Sequence, residues 1–550
     1  MKEHRIEQHL ERLCLRMNHC IAESATADPE KQLALFRGCL VKPFDFEMEC
    51  AGIIHPGKTR ENSFIEDAPF LYDFAFLPLM KVKELLLRSF QVSPTSQQRE
   101  VFEELEKFIA SSEGDECFVL KGYAGTGKTT IIGALVKVLP RIGLKSVLLA
   151  PTGRAAKVVS HYSGKKAFTI HKRIYRKKQA LSLDFDFSLA ENLSENTLFI
   201  VDEASMVSDQ AADFSRKSLL EDLLSYVYNG KNCKLILVGD TAQLPPVGSD
   251  FSPALDVSFL AENYGLTVFN YELTDVVRQE KQSGILRNAT DLRELIRNEE
   301  PGFPLLKVQG FPDIFRMTGE KLTEGLHYAY DKFGIENTLV ICRSNKNANN
   351  YNQQIRNRIL YREEELTGGD YLMVVRNNYY WLKSDEANNA FIANGDIAKI
   401  RKMRNIQEIY GFRFADVVLE FLDYPDDEPL SCKVLLDTLY SDGPGLASEE
   451  HRRFFEKVME DYQELPRKKR MEALKENPYY NALHVKFAYA VTCHKAQGGQ
   501  WDAVFVDQGY LTEEMVNTDF LRWLYTAVTR SVKQLFLVNF SQHFFSQDKQ

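Results

Sequence analysis

Gly122-Tyr123-Ala124-Gly125-Thr126-Gly127-Lys128-Thr129 is the part of this 550-residue sequence that leaves the fewest folds open. Its spacing is G-x-x-x-x-G-K-T, with the apolar run Phe118-Val119-Leu120 just before it and a helical stretch ending near Pro140 after it. Glycines so placed let backbone N–H groups curl around a phosphate, while the positive end of the following helix faces the same anion. Lys128 is then positioned to reach the β- and γ-phosphates of a nucleotide, and Thr129 to offer its hydroxyl to Mg²⁺. Gly122, Gly125, Thr126, Gly127, Lys128, Thr129 and Thr130 are therefore the candidate ATP contacts of an α/β domain.

Further short apolar runs extend that architecture. Val147-Leu148-Leu149-Ala150, Leu198-Phe199-Ile200-Val201 and Leu235-Ile236-Leu237-Val238 each end in Gly, Pro, Asp or Glu, and fully apolar runs of this length suit a parallel sheet covered on both faces. Leu339-Val340-Ile341-Cys342 and Val504-Phe505-Val506 repeat the pattern, with a helical stretch from Asn347 to Leu360, and point to a second α/β domain. Between them, the alternation Asp416-Val417-Val418-Leu419-Glu420-Phe421 and the turn Asp442-Gly443-Pro444-Gly445 mark a β-rich insertion over 397–484. From Ser448 to Glu476 it becomes a charged helical pattern carrying Arg467-Lys468-Lys469-Arg470, read either as a solvated helix face or as a patch that follows a nucleic-acid backbone. The expected division is an N-terminal segment (1–92), a first α/β domain (93–285), a second one (286–396 and 485–550) and the insertion.

Composition narrows the setting. Charged residues at 26% and hydrophobic ones at 44% describe a folded chain, and no apolar stretch approaches the roughly 18 residues of a membrane span. Nine cysteines without a Cys-x-x-Cys pair speak against zinc knuckles and a disulfide scaffold, and suggest a reducing, cytoplasmic protein. Cys14, Cys20, Cys39 and Cys50 lie in the N-terminal segment; an iron-sulfur cluster takes four thiolates, but buried thiols are the default reading. With 68 basic against 77 acidic residues the formal charge is -9, so any contact to nucleic acid must be local.

Hydrolysis needs a metal-holding acid and a base for water, and Asp202-Glu203 at the end of an apolar run supplies both: Asp202 for Mg²⁺, Glu203 beside the attacking water. Gly239-Asp240-Thr241-Ala242-Gln243 ends another run, and the Gln243 amide suits the γ-phosphate and the water. Positive charge for the transferring oxygens has two candidates, Arg278 in Val276-Val277-Arg278-Gln279 and Arg530 in Tyr525-Thr526-Ala527-Val528-Thr529-Arg530.

Taken in order, the phosphate loop, Ala150-Pro151-Thr152-Gly153-Arg154-Ala155-Ala156, Val201-Asp202-Glu203-Ala204-Ser205-Met206 and Gly239 to Val247 resemble the motifs of superfamily-one helicases of the RecD and Dda type. Asn394-Gly395-Asp396, Ala490-Val491-Thr492-Cys493-His494-Lys495-Ala496-Gln497-Gly498 and Tyr525 to Arg530 continue the resemblance, which covers roughly residues 94 to 540. It implies two RecA-like P-loop NTPase motor domains, an SH3-like fold for the insertion, ATP and Mg²⁺ between the motors, and single-stranded DNA across them. By the same resemblance Gln98 reads adenine, with Gln97 the alternative, Arg278 and Arg530 are arginine fingers, and Thr152, His171, Thr492 and His494 touch the DNA backbone. Around His171 stand Lys165, Lys166, Lys172, Arg173, Arg176, Lys177 and Lys178 with Phe168 and Tyr175 interleaved, a mixture suited to phosphate contacts and base stacking.

Residues 172–197 occupy the place of a strand-splitting pin, although Asp184-Phe185-Asp186-Phe187 alternates only faintly. Gly499 departs from the Ser of many relatives, and residues 1–92 have no counterpart in the shared motor. The function implied is an ATP-dependent DNA helicase moving 5′-to-3′ on single-stranded DNA and opening duplex junctions in repair, recombination or replication. It is expected to be a monomer with no membrane association, with the N-terminal segment or insertion open to a protein partner. The alternative is a DNA-dependent ATPase that serves as motor subunit of a nuclease or remodelling complex without unwinding by itself.

Overall fold

The structure, a computed structural model, describes residues 81–545 except 91, 113, 178–186, 212–216, 277–282, 300–301, 383–391, 425–427 and 444. Arg278, Lys178, the stretch from Asp184 to Asp186 and the four N-terminal cysteines lie outside the described residues.

Among the described residues eighteen strands are numbered in chain order. The first sheet takes β1 (Glu116–Gly122), β2 (Lys145–Ala150), β3 (Ala167–Thr169), β6 (Glu195–Val201), β7 (Lys231–Gly239) and β8 (Thr267–Leu273), in the spatial order β3-β2-β6-β7-β1-β8 and parallel throughout. Successive side chains of a strand point to opposite faces, and here both sets are buried. Phe118, Leu120, Leu198, Ile200, Ile236 and Val238 enter one core, while Cys117, Val119, Phe199, Val201, Leu235 and Leu237 enter another. Such strands can lie only between two layers of helices, which is why they read as unbroken apolar runs. The helix Val82–Ser89, ahead of residue 93, adds Leu85 and Leu86 to the first of these cores.

Between β3 and β6 a two-strand antiparallel ribbon pairs β4 (Tyr175–Lys177) with β5 (Phe187–Leu189). The second sheet is also parallel, with β9 (Ile314–Met317), β10 (Thr338–Cys342), β16 (Ala490–Thr492), β17 (Trp501–Asp507) and β18 (Ser531–Val538) in the order β16-β10-β17-β18-β9. The six apolar runs singled out in the sequence thus fall in two parallel α/β sheets, the expected motor architecture.

The insertion folds as a closed barrel of β11 (Tyr371–Val374), β12 (Ile397–Ile409), β13 (Phe412–Phe421), β14 (Leu430–Leu435) and β15 (Leu483–Phe487). Closure draws in β11, which precedes the 397–484 stretch by more than twenty residues, because β11 pairs with both β12 and β15 and a barrel has no open edge. Tyr410 and Gly411 turn β12 into β13 with φ of 60° and 74°, the pair of positive angles that a two-residue hairpin loop demands. Along β13, Ala415, Val417 and Leu419 join the barrel core, whereas Phe412 and Phe414 face the inserted helices Ser448–Glu460 and Arg467–Lys475. Phe454 and Val458 sit one turn apart on the first helix and close that satellite core with Met471 and Leu474 of the second.

The Phe454 ring lies 4.9 Å from that of Phe412 and 5.7 Å from that of Tyr480. Phe454→Ala should therefore cost about 3–5 kcal/mol locally. Hydrogen exchange would show faster opening of residues 448–482, with the protection of β1 and β6 unchanged.

Candidate active site and nucleic-acid groove

Parallel pairing puts the carboxyl ends of the first sheet's strands on one edge, where α/β proteins bind ligands. The phosphate loop leaves β1 there, Asp202-Glu203 leaves β6 and Gly239 to Gln243 leaves β7. They line one cavity of about 240 Å³. Gln98, Gly125, Gly127, Lys128, Thr129 and Thr130 face it, as do Asp202, Glu203, Gln243 and Arg530. Gly122 and Thr126 lie beneath: Thr126 is fully buried and its hydroxyl donates to Tyr123 O at 2.9 Å. A Cβ on Gly122 would meet that hydroxyl at 2.9 Å, so glycine is what allows the loop to fold over itself. Gly125 and Gly127 take φ of 83° and 88°, and Gly127 opens the helix Lys128–Val138. Lys128 Nζ donates to Gly122 O at 2.6 Å and Tyr123 O at 2.9 Å, which parks the ammonium at the mouth of the loop.

Gln98 is nearly fully buried at N3 of the helix Ser96–Ala110, where its Oε1 accepts from Thr95 N and its Nε2 donates to Thr126 O at 3.1 Å. Gln97 instead bonds Thr274 and the backbone N–H of Asp275. Of the two glutamines, Gln98 is the one that lines the cavity.

The acids are held under electrostatic tension. Asp202 is buried, and desolvation first, then the neighbouring Glu203, holds its carboxyl well above the usual range, against the pull of the Glu203 N–H and Lys128. Glu203 sits in the left-handed region with φ of 53°, a strained conformation for a β-carbon residue. Its Oε2 and the Oε1 of Gln243 are buried without a hydrogen-bond partner among the described residues. Two orphaned acceptors in a cleft that carries Lys128 fit a water that donates to both, with the ammonium left for a phosphate. Thr129 and Asp202 suit one hard divalent cation that keeps most of its shell from water and phosphate, and among the described residues no group of three or more His, Cys, Asp or Glu could hold a metal.

The second half of the chain completes the cleft. Arg530 is buried, anchored by Nε to Thr526 O at 3.0 Å and by Nη1 to Gly499 O at 3.3 Å, and its Nη1 lies 3.9 Å from Glu203 Oε1. Three partners were not foreseen from the sequence. Tyr525 OH accepts from Ala124 N at 3.0 Å and donates to Asp240 Oδ2 at 2.6 Å, which ties the phosphate loop and the end of β7 to the helix Thr518–Val528. Thr526 Oγ1 accepts from Leu244 N, and Gln497 Nε2 donates to Leu244 O at 2.7 Å. All three stand inside the quoted motifs, but no spacing rule pairs residues some 280 positions apart.

A larger cavity of about 630 Å³ lies along the neighbouring edge. Thr152, His171 and His494 line it; Thr492 stands just before the short helix Cys493–Ala496 that carries His494 and does not itself line the cavity. Thr152 also caps the helix Gly153–Ser163 by accepting from Ala155 N. Burial pushes the His171 imidazole down to about 4, so it is neutral at physiological pH. Acidic residues outnumber basic ones in this chain, yet among the described residues no Asp or Glu lines this cavity, while Arg376, Lys495 and several Asn and His do. That is the local exception to an acidic chain that nucleic acid requires.

The basic cluster around His171 is largely occupied elsewhere. Lys165 bonds Ser146, Arg173 bonds Ser194, and Tyr175 OH donates to Asp222 at 2.7 Å. Among the described residues of that cluster only His171 lines the groove, while Lys178 and the Lys177 side chain lie outside the description. Lys468 and Lys469 are exposed and outside the groove, and Arg470 caps Leu465 O at 2.6 Å.

A strap joins the first motor to the barrel. Arg154 pairs with the buried Asp423 at 3.5 Å, reaches Gln500 O at 3.4 Å and lies over the Trp501 ring at 4.9 Å. Lys157 also reaches Asp423, at 3.8 Å, and Lys172 lies over Tyr424 at 4.1 Å. The same Trp501 accounts for Gly499: a Cβ there would collide with the indole, so the serine of other chains would displace it.

Because Asp202 is harder to ionise in the folded protein than in the unfolded chain, the fold binds a proton there more tightly, and its stability falls as pH rises from the ordinary carboxylate range through the raised pKa. Asp202→Asn should thus raise the melting temperature in chelator at about pH 8 and lose most of that gain near pH 5. Differential scanning fluorimetry at the two pH values checks it.

The family model for an AAA domain matches residues 94–302, and that for the UvrD-like helicase C-terminal domain matches residues 487–538. An ATP-dependent RecD2 DNA helicase of Deinococcus radiodurans is 31% identical over 210 residues, which are 38% of this chain and 26% of that protein. The ATP-dependent DNA helicase dda of Enterobacteria phage T4 is 26% identical over 81% of this chain and 99% of its own length. A crystal structure of a Bacteroides Pif1 helicase with ADP-AlF3 and single-stranded DNA aligns over 83% of this chain and 95% of that one, with 15% identity and a TM-score of 0.41. The first of these relatives is matched over about a quarter of its length, the second over nearly all of it. With motifs from both ends of the chain meeting in one cleft, and both family models falling on those motifs, the chain is similar to the superfamily-one helicases of the RecD and Dda type.

Proposed function

We propose that this protein is an ATP-dependent DNA helicase that steps 5′-to-3′ along single-stranded DNA and separates duplex strands, acting as a cytoplasmic monomer in repair, recombination or replication. The reading is carried by one meeting: Glu203 from β6 and Arg530 from the far end of the chain lie 3.9 Å apart in the cavity of the phosphate loop. Its support beside that is the carboxylate-free groove, since Thr152 lines the groove and Gly498, which lines the cleft, packs against Thr152 and Ala155.

In this reading Gln98 reads the adenine and Lys128 holds the β- and γ-phosphates. Thr129 and Asp202 hold Mg²⁺, which when bound neutralises charge on the phosphate oxygens. Glu203 takes the proton of a water as its oxygen bonds to the γ-phosphorus, and the bond from that phosphorus to the β–γ bridging oxygen breaks, leaving ADP and phosphate. Gln243 orients the water, and Arg530 with Arg278 stabilises the charge on the transferring group. Tyr525, Thr526 and Gln497 transmit cleft closure to the second motor, so that Thr152 and His171 shift by one nucleotide against Thr492 and His494. The ribbon β4–β5 is the base of the pin.

Lys128→Ala should abolish ATP turnover, a loss of at least about 100-fold, while leaving ATP-free DNA binding nearly intact. Two partial duplexes differing only in tail polarity test the direction: only the 5′-tailed one should open. DNA-stimulated hydrolysis with neither opened would leave a translocase. For the pin, Ala190 and Asn192 are buried, and Asn192 Nδ2 donates to Tyr226 O, so a clean deletion is confined to residues 179–186. That variant should keep DNA-stimulated ATPase activity and lose strand separation; unchanged unwinding would remove the wedge role.

A further inference from the structure

The far wall of the groove comes from a part of the chain with no assigned role. Arg376 follows β11, His451 lies in the first turns of the helix Ser448–Glu460, and Tyr480 follows the second inserted helix. All three line the groove with Thr152, His171 and His494. Sequence spacing explains how His451 arrives there: it stands three and four residues before Phe454 and Phe455, on the stripe that packs against the barrel hairpin. Tyr480 is wedged behind it, 6.1 Å from the His451 ring and 5.7 Å from that of Phe454. The segment after Arg376 is pinned to the same turn, with Asn378 Nδ2 and Trp381 Nε1 each donating to Asn481 O at 2.8 Å.

Arg376 is exposed and meets His451 Nε2 at 2.6 Å through Nη1. A guanidinium can only donate, so His451 Nε2 accepts and its Nδ1 carries the proton. Burial, with Arg376 beside it, lowers the His451 pKa and keeps that tautomer at neutral pH. The remaining N–H groups of Arg376 form a fork that no described side chain fills by a hydrogen bond, in a groove that no carboxylate lines. Glu449 and Glu450 precede His451 but do not face the groove; Glu450 caps Ala447 N at 3.0 Å. A cation and an aromatic ring on a rigid wall match the chemistry of one backbone phosphate with its neighbouring base.

We propose that Arg376, His451 and Tyr480 form a subsite for single-stranded DNA, Arg376 taking a phosphate, His451 orienting Arg376, and Tyr480 offering a ring to a base. The inserted helices are thereby part of the DNA grip through the face that bears His451, and Lys468 and Lys469, exposed outside the groove, are not. This rests on the helicase reading above.

The test is fluorescence anisotropy of a labelled oligothymidylate bound to the full chain over about 50–200 mM salt, with melting temperature as the folding check. Arg376→Ala should weaken binding about 5- to 10-fold and reduce the slope of log affinity against log salt by about 0.7, the value for one phosphate of a single strand. His451→Gln, which keeps a polar side chain of similar reach, should weaken binding about 2- to 3-fold, and Tyr480→Leu should weaken it with the slope unchanged, since a ring contact releases no counterion. The double change Lys468→Ala/Lys469→Ala should leave both affinity and slope alone. Wild-type protein that fails to bind the oligonucleotide would refute the helicase reading itself. Wild-type binding with Arg376→Ala unchanged in affinity and slope, or a slope lost in the outer-face double variant instead, would overturn the subsite alone.

Discussion

One hydroxyl group carries much of the architecture of the cleft. Tyr525 OH stands between the partly buried Ala124 N–H of the phosphate loop and a carboxylate oxygen of Asp240, which is buried in low dielectric where an unpaired charge is expensive. Asp240 is itself resisted by burial, which raises its pKa, and the tyrosine is among the groups that keep it charged. Because the three groups come from β1, β7 and a helix of the second motor, their geometry cannot be satisfied unless the two sheets close on each other. The pairs Thr526–Leu244 and Gln497–Leu244 repeat the device a few residues on. Arg530 follows in the turn just past the end of that helix, so its approach to Glu203 is a consequence of that docking.

Electrostatics separates the two cavities. The cleft concentrates carboxylates that the fold holds at a disadvantage: Asp202 and Asp240 are both pushed toward protonation by burial, and Glu203 occupies a strained backbone conformation. Sites that store such tension gain most when a cation and a phosphate arrive. The groove is built the opposite way, with carboxylates excluded from its lining in a chain whose formal charge is -9. The acids that come close, Asp396 and Asp423, are turned inward. Asp423 is neutralised by Arg154 and Lys157, and Asp396 Oδ2 accepts from Ala393 N. The strap thus removes negative charge from the groove while joining the barrel to the first motor.

Much was legible before any coordinates. The apolar runs read correctly because a strand buried on both faces has no choice of residue, and the phosphate loop read correctly because its glycines answer to local backbone geometry at Gly122, Gly125 and Gly127. The barrel was half legible: alternation in β13 marked a β-rich insertion, but β11 looked like part of the second motor because a four-residue strand carries no period that says which sheet it will join. The lysines and arginines around His171 looked like a DNA track and are mostly tied to neighbouring backbone and side chains. Charge type alone does not say where a long side chain ends.

What the sequence by itself determined is everything set by neighbours along the chain: the phosphate loop, the acids at strand ends, the order of motifs and hence the family resemblance. Only the tertiary structure decided which of two adjacent glutamines lines the cleft, why glycine stands at 499, that Tyr525 bridges the phosphate loop and Asp240, and that Arg376 and His451 line the groove. The Tyr525 and Arg376–His451 contacts join residues 401 and 75 positions apart, and even the nearby Gly499–Trp501 approach depends on how the indole is packed. Such arrangements are chosen by sheet closure and side-chain packing, which no local pattern encodes.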